Sequence, residues 1–203
     1  MASEALVEAL RHVWRNLSSL QIPAALMGGI AMAAWKHVRA TRDIDVLISV
    51  TGQPPQRVCE RLQSAGIRPK GGGAAVPFGG LRAMPFLYEP PETFVEIQID
   101  LFAATTDYHE QALRRRVPFL LPGSDLRVEV LTCEDLILHK LLAGRIIDRA
   151  DVAALLRANQ EGLDFDYLIS WSQRLTLIAG LSEAWSEGLP ETPFPPSTGT
   201  KNE

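Results

Sequence analysis

Cysteine is scarce. The 203 residues hold two, Cys59 and Cys133, far apart in the chain. Two lone thiols exclude a disulfide framework, and without paired spacing they exclude a cysteine-type zinc site. They suit buried thiols in a reducing compartment. Long apolar runs are also missing. None reaches the roughly 18 residues that a bilayer span needs, so no membrane partner is expected. The opening Met1-Ala2-Ser3-Glu4 lacks the basic stretch of a secretory signal, and a cytoplasmic location is the expectation. Basic charge is not in excess either. The formal net charge is −4, which argues against a protein that coats nucleic acid generally. Arg114-Arg115-Arg116 is the one basic run. It reads as a local patch or, as charge runs more often do, as a solvated strand start.

What is present suits one soluble, well-buried domain with a small helical appendage. Apolar residues make up 46% and charged residues 22%, the balance of a globular chain. Ser3 can cap a first helix, in which Ala5, Leu6, Leu10, Val13, Trp14 and Leu17 recur at helical spacing. Residues 22–27 form a short apolar run and read as a buried strand. Gly28-Gly29 breaks the chain before a helix expected over residues 30–37. Asp43–Ser49 alternates as a strand does. Pro54 and Pro55 open a helix that stops near Gly66. Gly71-Gly72-Gly73 reads as a flexible turn more readily than as a phosphate contact. Strands over 82–88 and 94–102, joined through Glu89-Pro90-Pro91-Glu92, make a hairpin. A second hairpin joins 117–121 to 126–131 through Pro122-Gly123-Ser124-Asp125. From Thr132, which has capping-box spacing to Asp135, the pattern turns helical. Further helices are expected near 149–159, 164–174 and 177–187. The boundaries are then 1–131 for the core with its N-terminal helix, 132–188 for a helical part, and 189–203 for a disordered tail.

The chemistry concentrates in the carboxylates. Asp43 and Asp45 are two apart on a strand and so project from one face, while Ile44, Val46 and Ile48 face a core. Two carboxylates so close repel, and each raises the other's pKa unless a cation intervenes. Magnesium, or manganese, meets that need with oxygen ligands and retained waters. In Val95-Glu96-Ile97-Gln98-Ile99-Asp100-Leu101 the alternation is strict, with Glu96, Gln98 and Asp100 on one side. That is the ordinary pattern of a one-sided sheet. An aspartate in so apolar a strand is nevertheless disfavoured by propensity. With this strand beside Asp43–Ser49, Asp100 completes a triad able to hold two metal ions. Gly28 and Gly29, between a strand and a helix, let backbone N–H groups approach a phosphate, although a double glycine is by itself an ordinary turn.

Leu26-Met27-Gly28-Gly29, then Arg39-Ala40-Thr41-Arg42-Asp43-Ile44-Asp45-Val46, then Ile99-Asp100, resemble the nucleotidyltransferase superfamily. Thr-Arg-Asp-Ile-Asp is most similar to the bacterial branch of AbiEii-type toxins. The segment from Glu134 to Asp151, with Lys140, Arg145 and spaced aspartates, is similar to that branch too. The resemblance covers roughly residues 20 to 158 and rests on the order of the motifs. It implies an α/β (α+β) nucleotidyltransferase fold, a short mixed sheet flanked by helices and followed by a helical C-terminal part. It implies catalytic and metal-binding roles for Asp43, Asp45 and Asp100, and nucleotide contacts from Gly28, Gly29, Arg42, Lys140 and Arg145. The implied reaction moves a nucleoside monophosphate, with ATP the expected donor, onto a hydroxyl and releases pyrophosphate. The acceptor stays open between a tRNA end, a protein and a small molecule, and a small helical antitoxin is an implied partner. One departure stands out: many active members carry Ser where this chain has Gly29. That favours the alternative, a nucleotide- or protein-binding module of a toxin–antitoxin or phage-defence system with little turnover.

Other residues admit two readings. Lys140 either reaches the triphosphate or snorkels at the surface. Arg145 either steadies phosphate charge or pairs with Asp148 or Asp151. Arg42, next to Thr41, contacts phosphate or balances the acids. His37 and His139 can take protons, but a lone histidine is more often structural or exposed. Trp171 and Trp185 suit a core or a partner surface better than base stacking.

Overall fold

The computed structural model describes residues 3–52, 55–78 and 81–195. The first helix, α1 (Glu4–Ser19), is capped by Ser3, whose hydroxyl accepts from the Leu6 N–H. Its buried stripe is the periodic one, from Ala5 and Leu6 through Leu10 and Val13 to Leu17. The chain then enters β1 (Ala24–Met27), the short helix α2 (Gly28–Met32) and a 3-10 turn (Ala33–Trp35). β2 (Asp43–Ser49) and α3 (Pro55–Ser64) follow. Pro54, expected to open α3, lies outside the described residues. Next come β3 (Arg68–Pro69), β4 (Val76–Phe78), β5 (Leu81–Tyr88), β6 (Ile97–Ala104) and α4 (Asp107–Arg115). A hairpin of β7 (Val117–Leu120) and β8 (Arg127–Val130) leads to four helices: α5 (Cys133–Ala143), α6 (Ile146–Asn159), α7 (Phe165–Arg174) and α8 (Ile178–Gly188).

Among the described residues the strands form one mixed sheet in the order β3-β5-β6-β2-β1-β8-β7, with β4 also on β5. β2 is central. It runs antiparallel to β1 and parallel to β6. A central strand is covered on both faces, and residues 46–49 are buried without a break. α1 packs on β2, β6 and α3, while α4 and α2 pack on β2. The last four helices pack mainly on one another, joined to the sheet side through α2 and α5. This is the expected mixed sheet flanked by helices, here of eight strands. No helix among the described residues is long and apolar enough to cross a membrane. Cys133 is buried, which pushes its thiol up to about 12 and leaves it inert; Cys59 is half-buried.

The structure departs from the sequence reading in four places, each time because tertiary contacts prevail. The helix after Met27 begins at Gly28 and ends early. Trp35 donates its indole N–H to the Leu131 carbonyl and accepts from Asn159, and Lys36 then turns left-handed at φ 59°. β6 begins at Ile97, not at residue 94. Glu92 and Phe94 take φ of 63° and 51°, which prolongs the loop and leaves Phe94 and Val95 exposed. Val95 therefore does not join the inward row. The arginine run is not a strand start. Arg114 and Arg115 close α4, where cations suit a helix C-terminus, and Arg115 bonds to Glu134 and Asp135 under the Tyr167 ring. Residues 189–195 of the tail are described and fold back: the Trp185 indole donates to Thr192 O, and Phe194 meets Trp185 edge to face. Residues 196–203 lie outside the described residues.

Candidate active site

Asp45 and Asp100 stand opposite each other in the parallel pairing of β2 with β6, and Asp43 stands opposite Gln98. In-register residues of paired strands share a face. The three carboxylates thus lie on one face and line one cleft of about 400 Å³ with Gly28 and Gly29. Asp43 is exposed at the mouth, Asp45 half-buried and Asp100 buried.

The two parts of the motif pack as one unit. Met27 is the register partner of Asp45 across β1 and β2, so the turn after Met27 falls beside the acid. Gly28 has φ +66°, and a Cβ on it would lie 1.8 Å from Asp45 Oδ2. Only glycine lets the carboxylate rest there. A Cβ on Gly29 would lie 2.7 Å from Thr41 Cβ and 2.8 Å from Thr41 Oγ1. The space that a serine side chain at position 29 would take therefore already holds a hydroxyl. α2 begins here with no side-chain cap, leaving its first N–H groups without intrahelical partners.

Among the described residues no cation is bonded to Asp45. Burial, then the charge of Asp100, pushes its carboxyl up to about 7, against the pull of Lys140 and Arg145. Asp100 is raised as well, chiefly by burial, although the Gln98 side-chain amide donates to both of its oxygens at 3.2 and 2.9 Å. Gln98 is itself held by Lys70 at 2.6 Å. Among the described residues no three acidic, histidine or cysteine side chains are gathered closely enough to hold an ion as they stand.

The cations divide into free and committed ones. Arg42 is exposed on the cleft and has no hydrogen bond or ion pair among the described residues. Lys140 lines the cleft but does not snorkel. It is buried and donates to Asp148 Oδ1 at 2.9 Å and Asp151 Oδ2 at 2.7 Å. Arg145 takes the salt-bridge reading, with Nε 2.7 Å from Asp148 Oδ2, and its guanidinium covers Phe78 at 4.3 Å. Arg39 Nε lies 3.3 Å from Asp151 Oδ1, with His37 Nε2 3.7 Å from the same oxygen. Asp151 of α6 thus ties the loop before β2 to α5, and Asp148 joins Lys140 of α5 to Arg145. Sequence reasoning missed Gln98, Thr41, Phe78, Arg39 and the role of Lys140 as a buried tie. No local pattern marked the last, because Lys140 meets Asp148 and Asp151 only through the packing of α5 on α6.

Comparison with known proteins bears on the family and the fold. The family model described as nucleotidyl transferase AbiEii toxin, type IV TA system, matches residues 9–181. No curated protein matches the chain in sequence. Among solved structures it is similar to the antibiotic-resistance factor ANT(2'')-Ia at 13% identity and TM-score 0.53, over 84% of this chain and 92% of that one. It is also similar to JHP933 from Helicobacter pylori at 16% identity and TM-score 0.50, over 95% and 83%. Those likenesses concern the fold, whereas the family match spans most of the chain and includes all three acids. The chain belongs to the AbiEii family of nucleotidyltransferases.

Proposed function

We propose that the cleft transfers a nucleoside monophosphate from a nucleoside triphosphate, ATP first among them, to a hydroxyl, releasing pyrophosphate. The observation that carries this reading is the register of Asp45 with Asp100, which brings Asp43 and both partners to one cleft beside Gly28. The donor set is all carboxylate oxygen, and Asp45 stands beside Asp100 with no bonded cation among the described residues, so the residues suit magnesium or manganese. Asp43, Asp45 and Asp100 are the groups to hold such ions. When bound, they would neutralise phosphate charge and make the acceptor oxygen a better nucleophile. Asp100 first has to exchange its bonds from Gln98.

The acceptor oxygen forms a bond to the α-phosphorus, and the bond from that phosphorus to the bridging oxygen breaks. Pyrophosphate leaves with the electron pair. The proton of the acceptor hydroxyl goes to Asp100. Arg42 is the free cation for the triphosphate, and Arg145 reaches it while remaining bonded to Asp148. Backbone N–H groups at Gly28 and Gly29, with the Thr41 hydroxyl, are the neutral donors. Lys140 acts on the nucleotide through Asp148, by holding the residue that holds Arg145.

The test incubates the chain with α-labelled ATP, magnesium and, in turn, tRNA, protein and aminoglycoside acceptors. Label is expected on one acceptor class, with one pyrophosphate per transfer. A second reading, a nucleotide- or protein-binding module of a toxin–antitoxin system, is favoured by the Gln98 amide on both Asp100 oxygens. ATP binding without transfer to any acceptor selects it. An antitoxin partner and a cytoplasmic site of action belong to the proposed reading, and co-expression with the neighbouring gene tests the partner.

A further inference from the structure

A second recess adjoins the acid cleft, and the reaction above does not use it. Leu47 and Phe102 are register partners on β2 and β6, two residues beyond Asp45 and Asp100. Alternation sends them to the same face as the acids, one side-chain repeat or roughly 7 Å farther along. With Pro55, Leu81 and Met84 they line a pocket of about 470 Å³. That volume suits a small organic ligand. A narrow recess of about 20 Å³ between α5 and the sheet, lined by Asp45 and Lys140, shares Leu81 and His139 with this pocket.

Arg82, Thr105 and Thr106 lie on its lining, and the buried polar contribution is two histidines. His139 is buried on α5, and its Nδ1 lies 2.8 Å from the Asp135 carbonyl oxygen and 3.2 Å from the Tyr108 hydroxyl, which donates to that same carbonyl. A carbonyl only accepts, so Nδ1 carries the proton and Nε2 is a bare acceptor. That Nε2 is buried and has no hydrogen-bond partner among the described residues. His109 on α4 has the opposite tautomer. The Thr105 backbone N–H donates to its Nδ1 at 3.3 Å, which leaves the proton on Nε2. Its Nε2–H likewise has no partner among the described residues. The two rings stack with centroids 5.4 Å apart. Burial, joined for His109 by the neighbouring His139, brings both imidazoles down to about 4, so both are neutral near pH 7.

One uncharged acceptor and one uncharged donor thus stand together against an apolar floor. A buried acceptor with nothing to accept is uncommon and costly, and a ligand group can satisfy it. A charged ligand finds no counterion in the imidazole pair, and Arg82, the cation that lines the pocket, is exposed to solvent and donates to the Ala75 carbonyl. A simple alcohol satisfies one ring nitrogen and leaves the other. A flat heterocycle with an N–H beside a ring acceptor satisfies both, and the Watson–Crick edge of a nucleobase has that pattern. We infer that this pocket binds a nucleobase, His139 Nε2 accepting from the base and His109 Nε2–H donating to it. The inference rests on the reading of the acid cleft as a nucleotide site and names a specificity element for it. The base belongs either to the donor triphosphate or to the terminal nucleotide of the acceptor.

Titration calorimetry of the full chain with adenosine, guanosine, cytidine and uridine, without magnesium or triphosphate, tests this. At least one nucleoside is expected to bind saturably with one site. For that nucleoside, methylating the nitrogen that donates from its Watson–Crick edge should weaken binding about tenfold, the size of one lost buried hydrogen bond. His139→Leu should weaken the parent nucleoside about tenfold and leave the methylated one unchanged. Should His139→Leu fail to fold, His109→Phe carries the same comparison, with a loss for the parent nucleoside. No saturable binding of any of the four overturns the inference, as does equal binding of parent and methylated forms. With a non-hydrolysable ATP analogue and magnesium present, loss of nucleoside binding assigns the base to the donor, and retained binding assigns it to the acceptor. Label transfer in wild type without nucleoside binding removes the pocket and leaves the proposed reaction. Nucleoside binding without transfer does the reverse.

Discussion

Asp45 and Asp148 line the same narrow recess, yet one is left without a bonded cation and the other has two. Burial, with Asp100 beside it, pushes the Asp45 carboxyl up to about 7. Burial acts on Asp148 in the same direction, but the bonds from Arg145 and Lys140 outweigh it and hold that carboxyl below its ordinary range. The difference separates two uses of aspartate. Asp148 and Asp151 are neutralised inside the protein and join α5 to α6 and to the loop before β2. Asp45 has no such partner, and in the proposed reading its counterion comes from outside. The same residue type, a short distance apart, is paired within the fold in one place and unpaired in the other.

Breaking the unpaired set should abolish the reaction and spare the fold. Asp45→Asn and Asp43→Asn are each expected to lower transfer from α-labelled ATP by roughly 1,000-fold or more, with the double variant hardly worse, because residues acting as one unit are not additive. Their melting temperatures should equal or exceed that of wild type in metal-free buffer, since removing one of several repelling charges relieves strain. Full activity in Asp45→Asn ends the proposed mechanism.

Breaking the paired set should do the opposite. Lys140→Met leaves Asp148 and Asp151 buried with less countercharge, and losing one member of such a network costs roughly 3–5 kcal/mol. Urea unfolding at pH 7 measures it. If Lys140→Met unfolds like wild type while transfer is lost, Lys140 contacts the nucleotide directly and the assignment as a buried tie is wrong.

The comparison also carries a sign in pH. Asp45 ionises near its ordinary value in the unfolded chain but only near pH 7 in the folded one. Between these values the folded state holds the extra proton, so the contribution of this group to stability falls as pH rises from about 4 to about 7 and is constant above. His109 and His139, lowered to about 4, act the other way and lose stability as pH falls below about 6.5. The total curve mixes both, so the useful quantity is the difference between Asp45→Asn and wild type. In metal-free buffer the variant should gain on the order of 1–3 kcal/mol over wild type between pH 4 and pH 7. Millimolar magnesium at pH 8 should close most of that gap by stabilising wild type alone. A difference that is flat with pH refutes the raised Asp45.

The unpaired set was far more legible in the sequence than the paired one. Asp43 and Asp45 sit at a spacing of two on an alternating strand, and Asp100 interrupts an apolar strand, so local pattern alone put all three on one face. Only the neighbour relation of β2 and β6 had to be assumed. Lys140, Asp148 and Asp151 carry no such mark. Their meeting depends on the angle between α5 and α6, which no local period encodes, and a lysine on an apolar helix looks like one that snorkels. The helix α4 was lost for a similar reason: its arginines looked solvated because Glu134 and Asp135, the partners of Arg115, lie about twenty residues away in sequence. The paired histidines of α4 and α5 are likewise a product of packing and not of spacing.

The smallest expected effect concerns the turn beside the unpaired acids, where the chain has Gly29 and other members have Ser. Gly29 does not have a left-handed backbone, so conformation alone does not demand glycine there. The obstacle is Thr41, whose Cβ and Oγ1 are 2.7 and 2.8 Å from where a Cβ at position 29 would stand. Gly29→Ser should therefore not repair a missing contact. It should press Thr41 away from the cleft and cost about 1–2 kcal/mol, as overpacking does. Thr41→Gly should cost a few tenths to 1 kcal/mol through chain flexibility. The double variant should be more stable than the sum of the two, because each change makes room for the other, and residues in contact couple in this way. Nucleotide affinity should follow the hydroxyl: lowered several-fold by Thr41→Val, which keeps the shape, and recovered when Gly29→Ser is combined with Thr41→Gly. Strict additivity in stability would mean that Thr41 moves aside freely. Unchanged ATP affinity in Thr41→Val would mean that backbone N–H groups at Gly28 and Gly29 hold the phosphate without it.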